Sequence, residues 1–321
     1  MNSQVGVSKD VQVELLSQLR QVVETALEGK EEVVGLALTA LLARGHILLE
    51  DVPGVGKTTL ARALAKAVGG NMNRVQFTSD MLPSDVLGVT VYEQENSSFT
   101  LRKGAVFSNV LLADEINRAS PRTQSALLES MNEGQVSVDG VTHDLPQPFF
   151  VVATQNPQDF AGTFPLPESQ LDRFMMRVEI GYPSPEVETR LMLHPQGDRI
   201  EGVSQVLNPE TLAHLQLAVE KIQVDPEVGK YLQTLISATR KSSVLSIGAS
   251  TRAGMSLARA ARARALLEGR DYCLPDDIYT LAIPLLAHRV RLTAHADGYM
   301  PSREESERAI ADIMRKIPSP L

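Results

Sequence analysis

Residues Ile47-Leu48-Leu49-Glu50-Asp51-Val52-Pro53-Gly54-Val55-Gly56-Lys57-Thr58-Thr59 run from an apolar strand pattern into a glycine loop that ends in Lys-Thr at the start of a helix. Residue types in this order suit a polyphosphate. Gly54 and Gly56 let backbone N–H groups turn inward onto an anion, and a helix beginning at Lys57 offers its positive end to the same charge. Pro53, Gly54, Val55, Gly56, Lys57, Thr58 and Thr59 would then surround the phosphates, with Lys57 reaching the β and γ groups and Thr58 holding Mg²⁺. One position departs from the strict pattern, which asks for glycine where this chain has Asp51.

Four further groups could act on the same phosphates. Val110-Leu111-Leu112-Ala113 is a buried-strand pattern that delivers Asp114 and Glu115 at its C-terminal end, where ligands of open α/β sheets collect. Asp114 would hold Mg²⁺ through water, and Glu115 would orient and deprotonate the attacking water. The alternative is that both acids cap the helix that starts near Pro121. Asn156 ends the next apolar run, and its uncharged amide could hold the same water or the γ phosphate; Asn156-Pro157 also reads as a plain turn. Arg173, in Leu171-Asp172-Arg173-Phe174, could stabilise charge spread over the γ oxygens, or pair with Glu168 or Asp172 on the surface. Arg252, at the start of a helix after Gly248-Ala249-Ser250, could face phosphate from a second domain, or join Arg259, Arg262 and Arg264 as solvated charge.

The elements needed to position these groups are legible. Helical spacing over residues 11–43 precedes a strand at 46–50. Short apolar runs at 74–77, 110–113, 149–153 and 176–180 alternate with helical segments such as 57–68. This predicts a doubly covered, five-stranded parallel α/β sheet. Ser120-Pro121 and Gly134 bracket one helix. The alternation around Asp139-Gly140 predicts a hairpin, and a second is expected within 89–101. After Tyr182-Pro183-Ser184-Pro185 the strand signals stop, and Asn208-Pro209, Asp225-Pro226, Pro275-Asp276 and the Ser302/Glu305 capping box punctuate helices. The expected organisation is an αβα core at 1–184 and a smaller all-α lid at 185–321.

Composition bounds the function. The chain has 321 residues, 43% of them hydrophobic, enough for two domains with real cores. No apolar run approaches the roughly 20 residues that span a bilayer. A polar N-terminus and a single cysteine, Cys273, point to the cytoplasm. The six histidines show no metal-ligand spacing. A net charge of −8 disfavours a surface built for nucleic acid.

The combination of motifs resembles the AAA+ ATPases. More narrowly, the strings from Gly45 to Lys57, Asp114-Glu115-Ile116-Asn117-Arg118-Ala119 and Ala153-Thr154-Gln155-Asn156-Pro157 are similar to the MoxR family, which also tolerates an Asp at position 51. The resemblance implies Walker A at Gly54 to Thr58, Walker B at Asp114 and Glu115, sensor one at Asn156, an arginine finger at Arg173 and sensor two at Arg252. It implies ATP and Mg²⁺ as cofactors, adenine near Gly29 and Lys30, and the 135–145 hairpin facing a central pore. Because a finger acts on the neighbour's nucleotide, it further implies a homo-oligomeric ring, most often a hexamer. Chaperone-like remodelling or metal loading of client proteins, often proteins with von Willebrand factor A domains, completes the implied picture. The rival within the same fold is a DNA-remodelling motor, against which the acidity speaks. A GTPase switch lacks its Asn-Lys-x-Asp motif here. A transporter ATPase would need its signature ahead of Asp114, and the near match Leu245-Ser246-Ile247-Gly248 comes far behind it. A scaffold that binds ATP without turnover would not need Glu115.

Overall fold

The computed structural model describes residues 8–95, 97–156, 162–193, 200–293 and 302–320. The polar N-terminal residues 1–7 and Pro157, both read above, lie outside them. Two helices, α1 (Lys9–Ala26) and α2 (Glu31–Leu42), precede the first strand, as the helical spacing predicts. The chain then alternates: β1 (Ile47–Glu50), α3 (Lys57–Ala67), β2 (Met72–Gln76), the single turn α4 (Pro83–Leu87), the hairpin β3 (Gly88–Glu93) and β4 (Ser98–Lys103), and β5 (Val110–Asp114). There follow α5 (Pro121–Glu133), the hairpin β6 (Gln135–Val138) and β7 (Val141–Asp144), β8 (Phe150–Gln155), α6 (Glu168–Leu171), β9 (Met176–Val178) and α7 (Pro185–Leu193).

Strands β2-β5-β8-β1-β9 form the five-stranded sheet in that order, all parallel. Strand periodicity divides its side chains between two cores. Ile47, Leu49, Val110, Leu112, Phe150 and Val152 face one core with α1, α2 and α3. Leu48, Leu111, Ala113, Val151 and Ala153 face the other with Leu127, Leu128 and Met131 of α5. Both faces are therefore covered, and the strands read as nearly continuous apolar runs. Since β1, β8 and β5 are neighbours, the segments leaving their C-terminal ends emerge side by side.

The local punctuation acts as expected. Ser120 Oγ accepts the Thr123 N–H, Pro121 opens α5 and Gly134 closes it in the left-handed region at φ 64°. Asp139 and Gly140 turn the β6–β7 hairpin, both at positive φ. The remaining chain holds α8 (Pro209–Val219), α9 (Pro226–Lys241), β10 (Leu245–Ile247), α10 (Thr251–Leu267), α11 (Pro275–Leu286), β11 (Arg291–Leu292) and α12 (Arg303–Met314). Asn208, Asp225, Ser250 and Ser302 each cap a helix through a side-chain oxygen. The expectation of helices alone needs one amendment, because β10 and β11 pair as a small antiparallel ribbon. Strands of three and two residues are too short to show alternation in sequence. Helix α10 packs on α2 and α8, so the apolar residues of this second layer continue the core of α1 to α3. No described helix is long and apolar enough to cross a membrane.

Candidate functional site

The glycine loop lies between the buried end of β1 and the first turn of α3. Gly54 and Gly56 have φ of +89° and +105°, conformations that side-chain-bearing residues rarely adopt, and Gly56 is the residue from which α3 starts. Val55 turns its side chain against the core, so what it can offer an anion is backbone. Asp51 acquires a physical role. Its buried carboxylate accepts the N–H groups of Val52 at 2.8 Å, Ile180 at 2.8 Å and Gly181 at 2.7 Å. The root of the loop is thereby tied to the chain leaving β9, a tie that glycine could not make. The Asp51 carbonyl in turn accepts Lys57 Nζ at 2.7 Å. Burial pushes the Lys57 ammonium below its ordinary range, with Asp114, Asp51 and Glu115 acting in the opposite direction.

In front of the loop lies a cavity of about 350 Å³. Pro53, Gly54, Gly56, Lys57, Thr58 and Thr59 form one wall, and Asp114, Glu115, Asn156, Arg74 and Gln76 form the other. Four stretches read separately in the sequence thus meet in one place. Asp114 and Glu115 do not cap α5, since Ser120 fills that position. Asp114 ends β5, one step beyond the paired Ala113 and Ala153, and this register sets it beside Thr154. The fully buried Thr154 hydroxyl donates to Asp114 Oδ1 at 2.6 Å and accepts the Glu115 N–H at 2.9 Å. Glu115 itself has φ +58°, a left-handed conformation that a non-glycine residue holds only when its surroundings impose it. Its carboxylate lies 2.7 Å from Arg118 Nε. The other Asp114 oxygen, Oδ2, is 2.7 Å from Arg74 Nη2 on β2.

Arg173 and Arg252 stand apart from this cavity. The half-buried Arg173 donates from Nη1 to the Leu128 carbonyl of α5 at 3.2 Å. Arg252 begins α10 and is exposed, with its charge felt by Arg289. Arg289 has a side chain only 4% exposed, paired to Asp172 Oδ1 at 3.0 Å, and it donates to the carbonyls of Asp172 and Phe174. Burial pushes its guanidinium down to about 10. His288 Nε2 meets the same Phe174 carbonyl at 3.0 Å, and Arg291 pairs with Glu168 at 2.8 Å. The helical layer therefore grips the segment that carries Arg173. The Gly29-Lys30 turn lies close to the loop, for a Cβ on Gly56 would come within 3.0 Å of Leu27, and Lys30 Nζ donates to the Tyr182 carbonyl at 2.7 Å.

Thr154, Arg74 and the function of Asp51 escaped the sequence reading. Thr154 was within reach: aligning two adjacent parallel strands at their C-terminal ends puts a hydroxyl beside the carboxylate. The donor set facing the cavity, the Thr58 hydroxyl and the Asp114 carboxylate, is all hard oxygen. It fits a magnesium ion that takes its remaining ligands from phosphate and water. Among the described residues no group of three or more His, Cys, Asp or Glu gathers as a protein-only metal cage. Strand end, glycine loop and helix start together can bind a nucleotide polyphosphate and present a carboxylate to water at its terminal phosphorus.

Similarity to known proteins agrees with this chemistry. Residues 46–176 match the family described as ATPase family associated with various cellular activities (AAA), and residues 237–313 match the AAA lid domain. The chain is 44% identical over 310 residues to the uncharacterised protein YeaC of Bacillus subtilis, spanning 96% of this chain and 95% of that one. It is 41% identical over 290 residues to the chaperone MoxR1 of Mycobacterium tuberculosis, spanning 87% and 77%. Among solved structures, an ATPase candidate from Cytophaga hutchinsonii superposes with a TM-score of 0.88 at 36% identity, covering 98% of this chain and 97% of the other. Similarity that runs nearly end to end, through sheet and helical layer alike, makes this chain a member of the MoxR family of AAA ATPases.

Proposed function

We propose that this ATPase is a chaperone-like remodeller that works as a homo-oligomeric ring, with each ATP held by one subunit and completed by the next. Lys57 and the backbone from Pro53 to Thr59 bind the phosphates. Thr58 and Asp114 would hold Mg²⁺, which would supply neutralisation of the phosphate charge. Glu115 takes the proton of the attacking water, and Asn156 orients that water or the γ phosphate. Arg173 and Arg252 serve phosphate charge from outside the loop. The observation that supports the intersubunit reading is that, among the described residues, the cavity is lined by Lys57, Asp114, Glu115 and Asn156 but by none of the 168–175 segment or the helical layer. A hexamer and adenine near Gly29 and Lys30 follow from the family resemblance, as do clients with von Willebrand factor A domains and metal loading or assembly of their complexes. We place the division between core and lid at 184/185 and the working compartment in the cytoplasm.

The test mixes two inactive proteins. Glu115→Gln protomers keep the arginine and lose the base, and Arg173→Ala protomers do the reverse. Mixed rings should regain ATPase activity at interfaces that join an intact Arg173 to an intact Glu115. Absence of any recovery, with co-assembly verified by capture through a tag carried on one variant only, rejects the shared site. A rise in turnover on adding duplex DNA, suppressed by salt, would redirect the reading to a nucleic-acid motor.

A further inference from the structure

Arg74 and Gln76 line the cavity, and the function above gives neither a task. Arg74 stands on the edge strand β2, where the parallel register pairs it with Leu112 and Gln76 with Asp114. Arg74, Gln76 and Asp114 therefore share the face of the sheet that looks toward α3. The guanidinium reaches along that face to Asp114 Oδ2 at 2.7 Å, with Gln76 Oε1 at 3.4 Å as a second acceptor. The arrangement at Asp114 is asymmetric. Oδ1 is committed to the buried hydroxyl of Thr154 at 2.6 Å, and Oδ2 is the oxygen that faces a half-exposed partner, Arg74 being 50% exposed.

A metal ion or its bound water approaching Asp114 needs a lone pair on the carboxylate, and the Thr154 bond is the one sealed in the sheet. Oδ2 is thus the oxygen for which the hydrated cation and Arg74 compete. A guanidinium half in water is released at little cost, and Gln76 Oε1 remains to receive it.

We propose that Arg74 is a placeholder for the metal at Asp114: it neutralises the carboxylate while no cation is bound, and the nucleotide's magnesium displaces it from Oδ2. The inference rests on the nucleotide-site reading above. It has two consequences of opposite sign. Without metal, Arg74 screens phosphate from the Asp114 charge and so favours nucleotide binding. With metal, Arg74 is a competitor and raises the concentration of cation required.

The experiment uses a fluorescent ADP analogue and the full-length protein, so no turnover enters the reading. In EDTA, Arg74→Gln should weaken analogue binding about three- to tenfold. Titrated with magnesium at fixed analogue, the same variant should reach its half-maximal metal response at a concentration lower by a similar factor. Arg74→Lys, which keeps the charge, should restore binding in EDTA. Misfolding or loosening of β2 would weaken both measurements together, so a common direction of change overturns the proposal, as does Arg74→Gln matching the wild type in both. Should the wild-type protein bind no analogue under either condition, the nucleotide-site reading falls first and this inference with it.

Discussion

Asp51 offers the sharpest test of whether the loop is held as described. Replacing it with glycine would bring the chain closer to the strict phosphate-loop pattern, and on pattern alone the change should be harmless or favourable. The structure demands the opposite. The Asp51 side chain accepts three backbone N–H groups, from Val52, Ile180 and Gly181, and the residue is only 6% exposed. A hydrogen bond to a charged acceptor contributes about 1.5–3 kcal/mol net, but desolvating the carboxylate offsets part of this, so losing all three should cost about 3–5 kcal/mol. The added freedom of glycine in the unfolded chain costs about 0.5–1 kcal/mol more. At roughly 1.5 °C per kcal/mol for a chain of 321 residues, the melting temperature of Asp51→Gly should fall by about 5–9 °C. Asp51→Asn keeps an acceptor oxygen without the charge and should lie between the two. Because the Asp51 carbonyl also anchors Lys57, nucleotide affinity should weaken in the same order. Calorimetry and analogue titration on the three proteins decide the matter. A glycine variant that melts with the wild type and binds as tightly would show that the carboxylate does not anchor the loop.

The remaining tests separate binding, chemistry and folding. Lys57→Ala should lose nucleotide binding, whereas Glu115→Gln should bind ATP normally and hydrolyse it more slowly by about two or more orders of magnitude, since only the water-activating group changes; undiminished single-turnover rates in Glu115→Gln would remove Glu115 from its role. His46 supplies a pH signature. Its Nδ1 accepts the Val151 N–H and its Nε2 meets the Met131 carbonyl, and burial pushes the ring down to about 4 from 6.5. The unfolded chain therefore takes up a proton below pH 6.5 that the folded chain refuses until about pH 4, so stability from this group is full above that window and is lost as pH falls through it. Urea unfolding at pH 7 and pH 5 should show the wild type losing about 2 kcal/mol more than His46→Gln over that interval, and equal losses would show that the ring titrates normally.

What the sequence revealed divides along a physical line. The loop, the Asp114-Glu115 strand end, the Ser120 cap and the Asp139-Gly140 turn all rest on short-range rules, in which each residue's task is set by neighbours a few positions away. Those were legible. Thr154 beside Asp114, Arg74 on Oδ2 and the Asp51 tie to residues 180 and 181 each join parts of the chain about 40 to 130 positions apart. Only the parallel register and the strand order bring them together.

Arg252 shows the same limit at the scale of a whole layer. The start of its helix was readable from Ser250 and Thr251, but the target of its guanidinium depends on how α10 docks on α2 and α8. Elsewhere the helical layer meets the 168–174 segment through polar contacts, two of them buried, Arg289 on Asp172 and Phe174 and His288 on Phe174, and one exposed, Arg291 with Glu168. A buried guanidinium left without its carboxylate is strongly destabilising, so Arg289 and Asp172 are held together more firmly than an exposed pair would be. The 168–174 segment is thereby bonded to the helical layer through Glu168, Asp172 and Phe174, while Arg173 itself donates to Leu128 of α5. A displacement of Arg289 would be felt directly at Asp172, the neighbour of Arg173, whereas the cavity's lining among the described residues comes from the loop, the start of α3 and the strands β2, β5 and β8 with the residues that follow them.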